Sequence, residues 1–365
     1  MTSAYRPAIL QVILAAALFG ASAPLSKLLL DGFSAIPLAA FLYLGSGIGS
    51  GLMLLLQRSN RKGRGSEAGL SKKDTPWLIG ALLAGGVAAP IFLLLGLDKT
   101  PASTASLLLN FEAAATTLIA ILVFKEAVDR RIWWAVGLIT LASILLSWVG
   151  GNWGFSLAAL GILGACLLWG LDNNLTRHIS ARNPLLIVGI KGLGAGGFNL
   201  ALAFSLGIPL PGWKLIGLAL VVGAVCYGLS IQLFILALRS LGAARTGALF
   251  GIAPFIGAAL SFLIFPASPG LLFWLALPAM AAGAWLMLTE RHHHAHVHLM
   301  TGHDHAHAHP DEHHQHQHDG ETALLNGKHA HSHIHEELEH AHPHNPDIHH
   351  RHDHPKDETP SPDLS

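Results

Sequence analysis

Charged residues are scarce in this chain of 365 residues: they make up 12% of it, while 52% of the residues are hydrophobic. A soluble domain carries about 25% charged residues, so the composition argues against a soluble protein. Cysteine is scarcer still, with two residues and no CxxC spacing, which gives no basis for a disulfide framework. Cys166 and Cys226 fall inside apolar runs, where we expect them to pack as small hydrophobic side chains.

Catalytic signatures are also lacking. The sequence contains no GxSxG, HExxH, P-loop or dinucleotide-binding fingerprint. The glycine-rich stretch 192–197 lies in an apolar segment without a preceding strand, so it is not a phosphate-binding loop. We therefore predict that the protein is not an enzyme, and we expect no nucleic acid among its partners.

Long apolar runs dominate the first 290 residues. A run of about 20 apolar residues can cross a bilayer as a helix, and ten such runs are recognisable. They predict an all-α membrane protein with ten transmembrane helices, followed by a disordered C-terminal tail. The ten runs cover 9–30, 35–56, 76–97, 101–124, 132–149, 156–178, 184–206, 214–238, 246–265 and 271–289.

The charges between these runs are distributed unequally. With the N-terminus placed in the cytoplasm, the loops on that side carry 15 Lys and Arg residues, whereas the opposite loops carry Lys27, Lys99 and Lys214. Loops rich in Lys and Arg remain in the cytoplasm. The sequence therefore predicts a multi-pass protein of the bacterial inner membrane, with both termini in the cytoplasm.

The two halves of the apolar region resemble each other. Pro37 aligns with Pro184 at an offset of 147 residues, and the glycines at 45, 47 and 49 then align with those at 192, 194 and 196. The segments LFGAS and LWGLD align at an offset of 150, and VFKEAVDRRIWW aligns with IFPASPGLLFWL at 141. We predict two five-helix repeats, at 8–149 and 156–289, and a tail at 291–365. Because five is odd, the second repeat is inverted, as in many transporters.

Three segments carry a resemblance to a known family. The chain resembles the EamA-type permeases of the drug/metabolite transporter superfamily in AALFGASAPLSK, LLWGLDNNLTR and GLDKTPASTASLLLNFEAAATTLIAILVFKE. It departs from the family pattern at Glu112-Ala113, where the family has Glu-Pro, and at Ala253-Pro254, which keeps the proline and loses the acid. The family imports and exports amino acids, other small metabolites and drugs, so the resemblance implies a transporter without fixing its solute.

Glu112 lies about halfway along the fourth apolar run. A charge at that depth costs roughly 2.5–3.5 kcal/mol, so we expect the side chain to face the bundle interior or a wet cavity. It is the candidate for proton coupling or for binding a substrate amine; the alternative is a structural carboxylate bonded to a neighbouring helix. Asn110 lies about 200° away around the helix, where we expect it to bond a neighbouring helix.

Further polar side chains interrupt the sixth and seventh runs. Lys191 lies about seven residues into the seventh run. It either extends to the cytoplasmic interface, or acts as a counter-charge to Glu112 or as a contact for an anionic group of the substrate. Asp172, Asn173 and Asn174 either line the cavity near its cytoplasmic mouth or mark the wet end of the sixth run.

The tail contains 24 of the 25 histidines and few large apolar residues, so we expect it to be disordered. Alternating histidines suit Zn, Ni, Co or Cu. We predict no required cofactor, but we expect divalent metal ions among the partners of the tail. The candidate metal ligands are His292, His293, His294, His303, His305, His307, His309, His313, His314, His316, His318, His331, His333, His335, His349, His350, His352 and His354.

Three roles are open for this tail. It can buffer or sense metal, pass metal to a metal-exporting membrane domain, or act as a pH-responsive polycation. The favoured function is a secondary transporter that exports small organic metabolites or drugs by alternating access. The alternatives are a divalent transition-metal exporter that collects metal with its tail, and a membrane scaffold that stores metal. The sequence leaves the oligomeric state open.

Overall fold

The fold is an all-helical bundle of the type that crosses a membrane several times. A computed structural model describes residues 6–60, 69–124, 130–149, 154–179, 182–241, 246, 249–266 and 268–288, and the backbone of four strands in the tail. Eight helical segments of this part are long and apolar enough to span a bilayer, and the apolar helices Ala253–Ile264 and Leu271–Met287 are shorter. The predicted ten-span fold class is confirmed.

The helices follow the predicted runs closely, and two of the runs contain a π-helical segment. Helices α3 and α4 flank a π-helical segment at Leu82–Ala88, and α10 and α11 flank a second one at Gly223–Leu229. The helices are α1 Arg6–Leu29, α2 Ala35–Asn60, α3 Thr75–Ala81, α4 Ala89–Lys99, α5 Ala102–Leu108, α6 Phe111–Leu122, α7 Arg130–Ser147, α8 Leu157–Arg177, α9 Pro184–Ser205, α10 Trp213–Val222, α11 Ser230–Leu241, α12 Ala253–Ile264 and α13 Leu271–Leu288.

The two halves match in their irregularities as well as in their helices. The π-helical segments start at residues 82 and 223. A break at residues 109–110 precedes α6, and a break at residues 251–252 precedes α12. Packing follows the same relation: α4 and α6 contact α8 in one half of the bundle, and α11 and α12 contact α1 in the other. The architecture is therefore that of two five-span repeats in inverted orientation.

Glycines allow the repeats to approach closely where α2 crosses α9 and α10. A Cβ atom on Gly47 would lie 2.5 Å from the backbone nitrogen of Leu193, and a Cβ atom on Gly192 would lie 2.5 Å from that of Gly47. A Cβ atom on Gly45 would overlap the carbonyl group of Leu220. Small residues at these crossings bring the helix backbones into contact, as is common between membrane helices.

The largest buried cluster lies at one end of the bundle. It contains Leu29 near the end of α1, Leu38 near the start of α2, Leu97 near the end of α4 and Ala159 near the start of α8. Consecutive spans run in opposite directions, so these helix ends meet on the same side of the bundle. We call this the closed end, and the other the open end.

Four strands occur in the tail, where the sequence predicts disorder. Strand β3 (His292–His298) pairs antiparallel with β6 (Leu338–His344), and β4 (Thr301–Ala308) pairs with β5 (Lys328–His335). The short strands β1 (Trp148–Val149) and β2 (Gly154–Phe155) pair between α7 and α8. The tail forms strands and not only disordered chain for a physical reason: histidine at every second position has the two-residue period of a strand.

Candidate functional site

The break before α6 determines the position of Glu112. Residues 109–110 form a turn, and α6 begins at Phe111, so Glu112 stands in the first turn of the new helix. Asn110 is buried, and its side-chain amide donates to the carbonyl of Leu107 at 3.2 Å. This bond joins the turn to the end of α5 in the same run, so the prediction that Asn110 bonds a neighbouring helix was wrong. Asn110 therefore supports the break that orients Glu112.

The Glu112 carboxylate is bound by α8. Its Oε1 accepts a hydrogen bond from Asn173 Nδ2 at 2.9 Å, and the same amide lies 3.2 Å from Thr116 Oγ1. The Thr116 hydroxyl donates to the backbone carbonyl of Glu112 at 2.8 Å. Among the described residues, Oε2 has no hydrogen-bond partner and the carboxylate has no salt bridge. One carboxylate oxygen thus remains available.

Asn173 is exposed on the interior side of α8. It shares a helix face with Ile162 and Cys166, 11 and 7 residues earlier, both fully buried. The opposite face carries Leu160 and Leu167, which are 43% and 46% exposed and turn toward the lipid. Exposure on the inner face means that Asn173 and the adjacent Glu112 border a solvent-accessible space between the helices.

Lys191 binds Asp172, and not Glu112. The Lys191 ammonium lies 2.5 and 2.7 Å from the two carboxylate oxygens of Asp172, which also accepts a hydrogen bond from Thr176 at 2.8 Å. Asp172 is 6% exposed. Lys191 therefore does not extend to the interface, and its charge is compensated inside the bundle by the neighbouring helix α8.

The first π-helical segment packs against this ion pair. A Cβ atom on Gly85 would overlap the Asp172 carboxylate, so only glycine leaves room for it. The Gly85 carbonyl accepts hydrogen bonds from Tyr43 Oη at 2.6 Å and from Trp169 Nε1 at 2.9 Å. π-helical turns redirect backbone carbonyls and often occur at functional sites. The adjacent glycines Gly85 and Gly86 are the sequence feature from which this segment could have been predicted.

The three residues 172–174 serve three different contacts. Asp172 pairs with Lys191 and Asn173 with Glu112, while Asn174 donates to the backbone carbonyls of Gly170 and Thr116 at 2.8 and 3.0 Å. Asn174 is 2% exposed and joins α8 to α6. Two members of the trio thus belong to the polar site and the third holds its helices together.

A row of aromatic side chains crosses the bundle from this site. The rings of Tyr43 and Tyr227 are 6.2 Å apart, those of Tyr227 and Phe19 are 6.0 Å apart, and those of Phe19 and Phe250 are 5.5 Å apart. Trp169 begins the row, with Nε1 3.4 Å from Tyr43 Oη. All five side chains are half-buried. The row runs from Trp169, beside the polar site, across the bundle to Phe250.

The space beside Glu112 is sealed at the closed end. There α5 contacts α12, and α1 contacts α4 and α5. The Lys27 ammonium donates to the carbonyls of Leu97 and Asp98, both at 2.6 Å, and joins α1 to α4. Toward the open end we find no extensive contact between α6 and either α1 or α12 within the described ranges. The bundle is therefore arranged as a cleft that is closed at one end.

The side chains that the structure describes do not form a metal site. Within that part of the chain, no three His, Cys, Asp or Glu residues come together to hold a metal ion. His178 stacks on Trp77, with ring centroids 3.9 Å apart. The side chains of the predicted tail ligands lie outside the described residues, as do the whole residues His309, His313, His314, His316, His318, His349, His350, His352 and His354.

Comparison with known proteins identifies relatives of this bundle. The profile of the EamA-like transporter family matches residues 6–148 and 156–289. A protein of Methanothermobacter thermautotrophicus described as an uncharacterized transporter is 31% identical over 271 residues, which are 70% of this chain and 78% of that protein. A crystal structure with 16% identity superposes with a TM-score of 0.53, covering 78% of this chain and 95% of its own, and supports the fold alone.

Proposed function

Because the chain belongs to the EamA-like transporter family, we propose that it is a secondary transporter that carries small organic solutes across the membrane by alternating access. One observation carries this proposal. A half-buried carboxylate, Glu112, borders the cleft between the two repeats and leaves one oxygen available. Intramembrane ionisable groups are expensive to keep, and they mark substrate or proton pathways.

The loop charges indicate from which side of the membrane the solute enters the cleft. We infer that the open end faces the cytoplasm, because that side carries 15 of the 18 Lys and Arg residues at or beyond the ends of the apolar runs, from Arg6 to Arg291. The described conformation is then inward-open, and a cytoplasmic solute reaches Glu112 without a rearrangement. This orientation supports export of the solute from the cytoplasm. In a bacterium, the solute would cross the inner membrane. Repeats 8–149 and 156–289 would be the two moving bodies.

Cysteine labelling tests alternating access directly. In a Cys166→Ala, Cys226→Ala background, Ala113→Cys, at an exposed position beside Glu112, should react with an impermeant maleimide only from the cytoplasmic side. Leu94→Cys, at a position that is 1% exposed in the closed end, should react only from the opposite side. When turnover starts, labelling at the two positions should change in opposite directions. A fixed scaffold or a channel would leave the two rates uncoupled, which would reject the proposal.

A second function concerns the tail. We propose that residues 291–365 bind divalent transition metals in the cytoplasm, as a buffer or sensor, with Zn, Ni, Co or Cu as the ions. The specific observation is the strand register, which places histidine opposite histidine at His294 and His342 and at His303 and His333. The register therefore supports shared metal sites.

Deleting residues 291–365 separates the metal hypotheses. With four ligands per Zn²⁺, the 24 tail histidines would hold at most about six ions. We expect the deletion to remove nearly all bound metal, measured by elemental analysis of purified protein, while organic solute transport continues. Loss of zinc or nickel flux in vesicles, with the organic flux absent from both proteins, would instead support the metal exporter. Unchanged metal content would exclude a metal-binding tail.

A further inference from the structure

The charges at the cleft do not balance, and this imbalance points to the charge of the solute. Asp172 and Lys191 neutralise each other through two short contacts. Glu112 then remains as a carboxylate that no described cation binds. We propose that the solute is an amphipathic organic cation, with an amine or similar cationic group that binds Glu112 and an apolar or aromatic body. This inference rests on the transport function proposed above.

Closure of the cleft gives the physical reason for a cationic solute. In the inward-open arrangement, water reaches the free oxygen of Glu112. When the cleft closes around a solute, that oxygen loses its water, and an unpaired charge in a low-dielectric site is strongly unfavourable. A cationic group on the solute supplies the missing partner. An anionic solute would add a second uncompensated negative charge and would be excluded.

A zwitterion is disfavoured for a separate reason. Its carboxylate would need a cation of its own, and Lys191 is the nearest candidate on the described helices. Lys191 is held by both oxygens of Asp172 and lies 3.4 Å from Thr176 Oγ1. Releasing it would leave the buried Asp172 unpaired, which is costly. The charge of Lys191 is therefore compensated by Asp172, whereas no described cation compensates the charge of Glu112.

The rest of the cleft fits the body of such a solute. Trp169 lies one helical turn from Asn173, and the aromatic row continues through Tyr43 and Tyr227 to Phe19. Aromatic faces attract cations and pack against apolar groups. By the repeat offsets, the positions equivalent to Asp172, Lys191 and Glu112 are Ser22, Leu44 and Ala253. These three equivalent positions thus carry no charge that could bind a second ionic group.

Three compounds that share a phenyl-alkyl body isolate the effect of charge. 2-Phenylethylamine is a cation, phenylalanine a zwitterion and 3-phenylpropionate an anion at neutral pH. Binding to the full-length protein in detergent, measured by calorimetry, should be at least about tenfold tighter for the amine, as expected for one charge-assisted hydrogen bond. Equal or tighter binding of phenylalanine or phenylpropionate would overturn the proposal, and so would the absence of amine binding.

Variants tie this preference to the carboxylate. Glu112→Gln should abolish the preference for the amine, whereas Asp31→Asn, at an exposed acid just after α1, should retain it. A Glu112→Gln protein that folds and still prefers the amine would contradict the proposal. If that variant does not fold, the selectivity of the wild-type protein decides alone.

The transporter proposal and the proposal of a cationic solute can be rejected separately. If the amine binds but the labelling rates at Ala113→Cys and Leu94→Cys stay uncoupled, the solute class stands and the transporter proposal fails. If the rates are coupled but respond to phenylalanine or phenylpropionate and not to the amine, the transporter stands and the cationic class fails.

Discussion

Replacing Asp172 with asparagine should destabilise the protein by about 3–5 kcal/mol, the usual cost of removing one partner from a buried ion pair. The substitution leaves the Lys191 ammonium between α8 and α9, with 16% of its side chain exposed and, among the described residues, no other carboxylate that binds it. The amide of asparagine can accept one hydrogen bond from Lys191, but it cannot compensate the charge. Thermal unfolding of the purified protein in detergent measures the loss, which should also reduce the amount of protein in the membrane.

The matched control removes both charges. Asp172→Asn combined with Lys191→Met leaves no unpaired ion, and methionine has a similar length to the lysine stem. We expect this double variant to regain most of the stability, because the cost of the single change comes from the charge that is left behind. A double-mutant cycle gives the coupling energy between the two residues. If the double variant is no more stable than Asp172→Asn, the pair is not the source of the effect.

Glu112→Gln should reduce transport by about 10- to 100-fold, because one charge-assisted hydrogen bond is worth about 1.5–3 kcal/mol and every 1.4 kcal/mol is a factor of ten. Glutamine keeps an oxygen that accepts from Asn173, so the contact between α6 and α8 survives and the protein should fold. What is lost is the charge and the ability to exchange a proton. The measurement is the flux of 2-phenylethylamine in proteoliposomes between pH 6 and pH 8.

The pH profile separates a coupling role from a binding role. If Glu112 exchanges protons with the cleft, the wild-type flux should vary with pH and the residual flux of Glu112→Gln should not. Glu112→Asp keeps a titrating group on a shorter side chain, so it should retain the pH dependence at a lower rate. An unaltered rate and pH profile in Glu112→Gln would reject any role of this carboxylate in transport.

Bilayer physics explains why the fold could be predicted from the sequence. Backbone N–H and C=O groups in lipid must form their hydrogen bonds within the protein, and a single apolar run can do so only as a helix. Each long apolar run is therefore predicted to be a helix. The odd number of runs per repeat then determines the inversion. The interior position of Glu112 was predictable for the same reason, since a carboxylate at that depth cannot face lipid.

The partners inside the bundle could not be predicted in this way. Each residue turns a helix by about 100°, and the π-helical segments and the breaks change the register locally. Whether Lys191 meets Glu112 or Asp172 depends on that register. Tyr43 and Trp169 were missed because their shared acceptor, the Gly85 carbonyl, is redirected by a π-helical turn. In the tail, the two-residue period of the histidines indicates strands, whereas the low content of large apolar residues predicts disorder.

The two repeats contribute unequal parts to one site. Glu112, Tyr43 and Gly85 come from the first repeat, and Asp172, Asn173, Lys191 and Trp169 come from the second. A dimer of the first half would contain two carboxylates without the asparagine that orients them, and a dimer of the second would contain two ion pairs and no accessible acid. The site therefore requires both repeats: neither half, assembled with its own copy, would reproduce it.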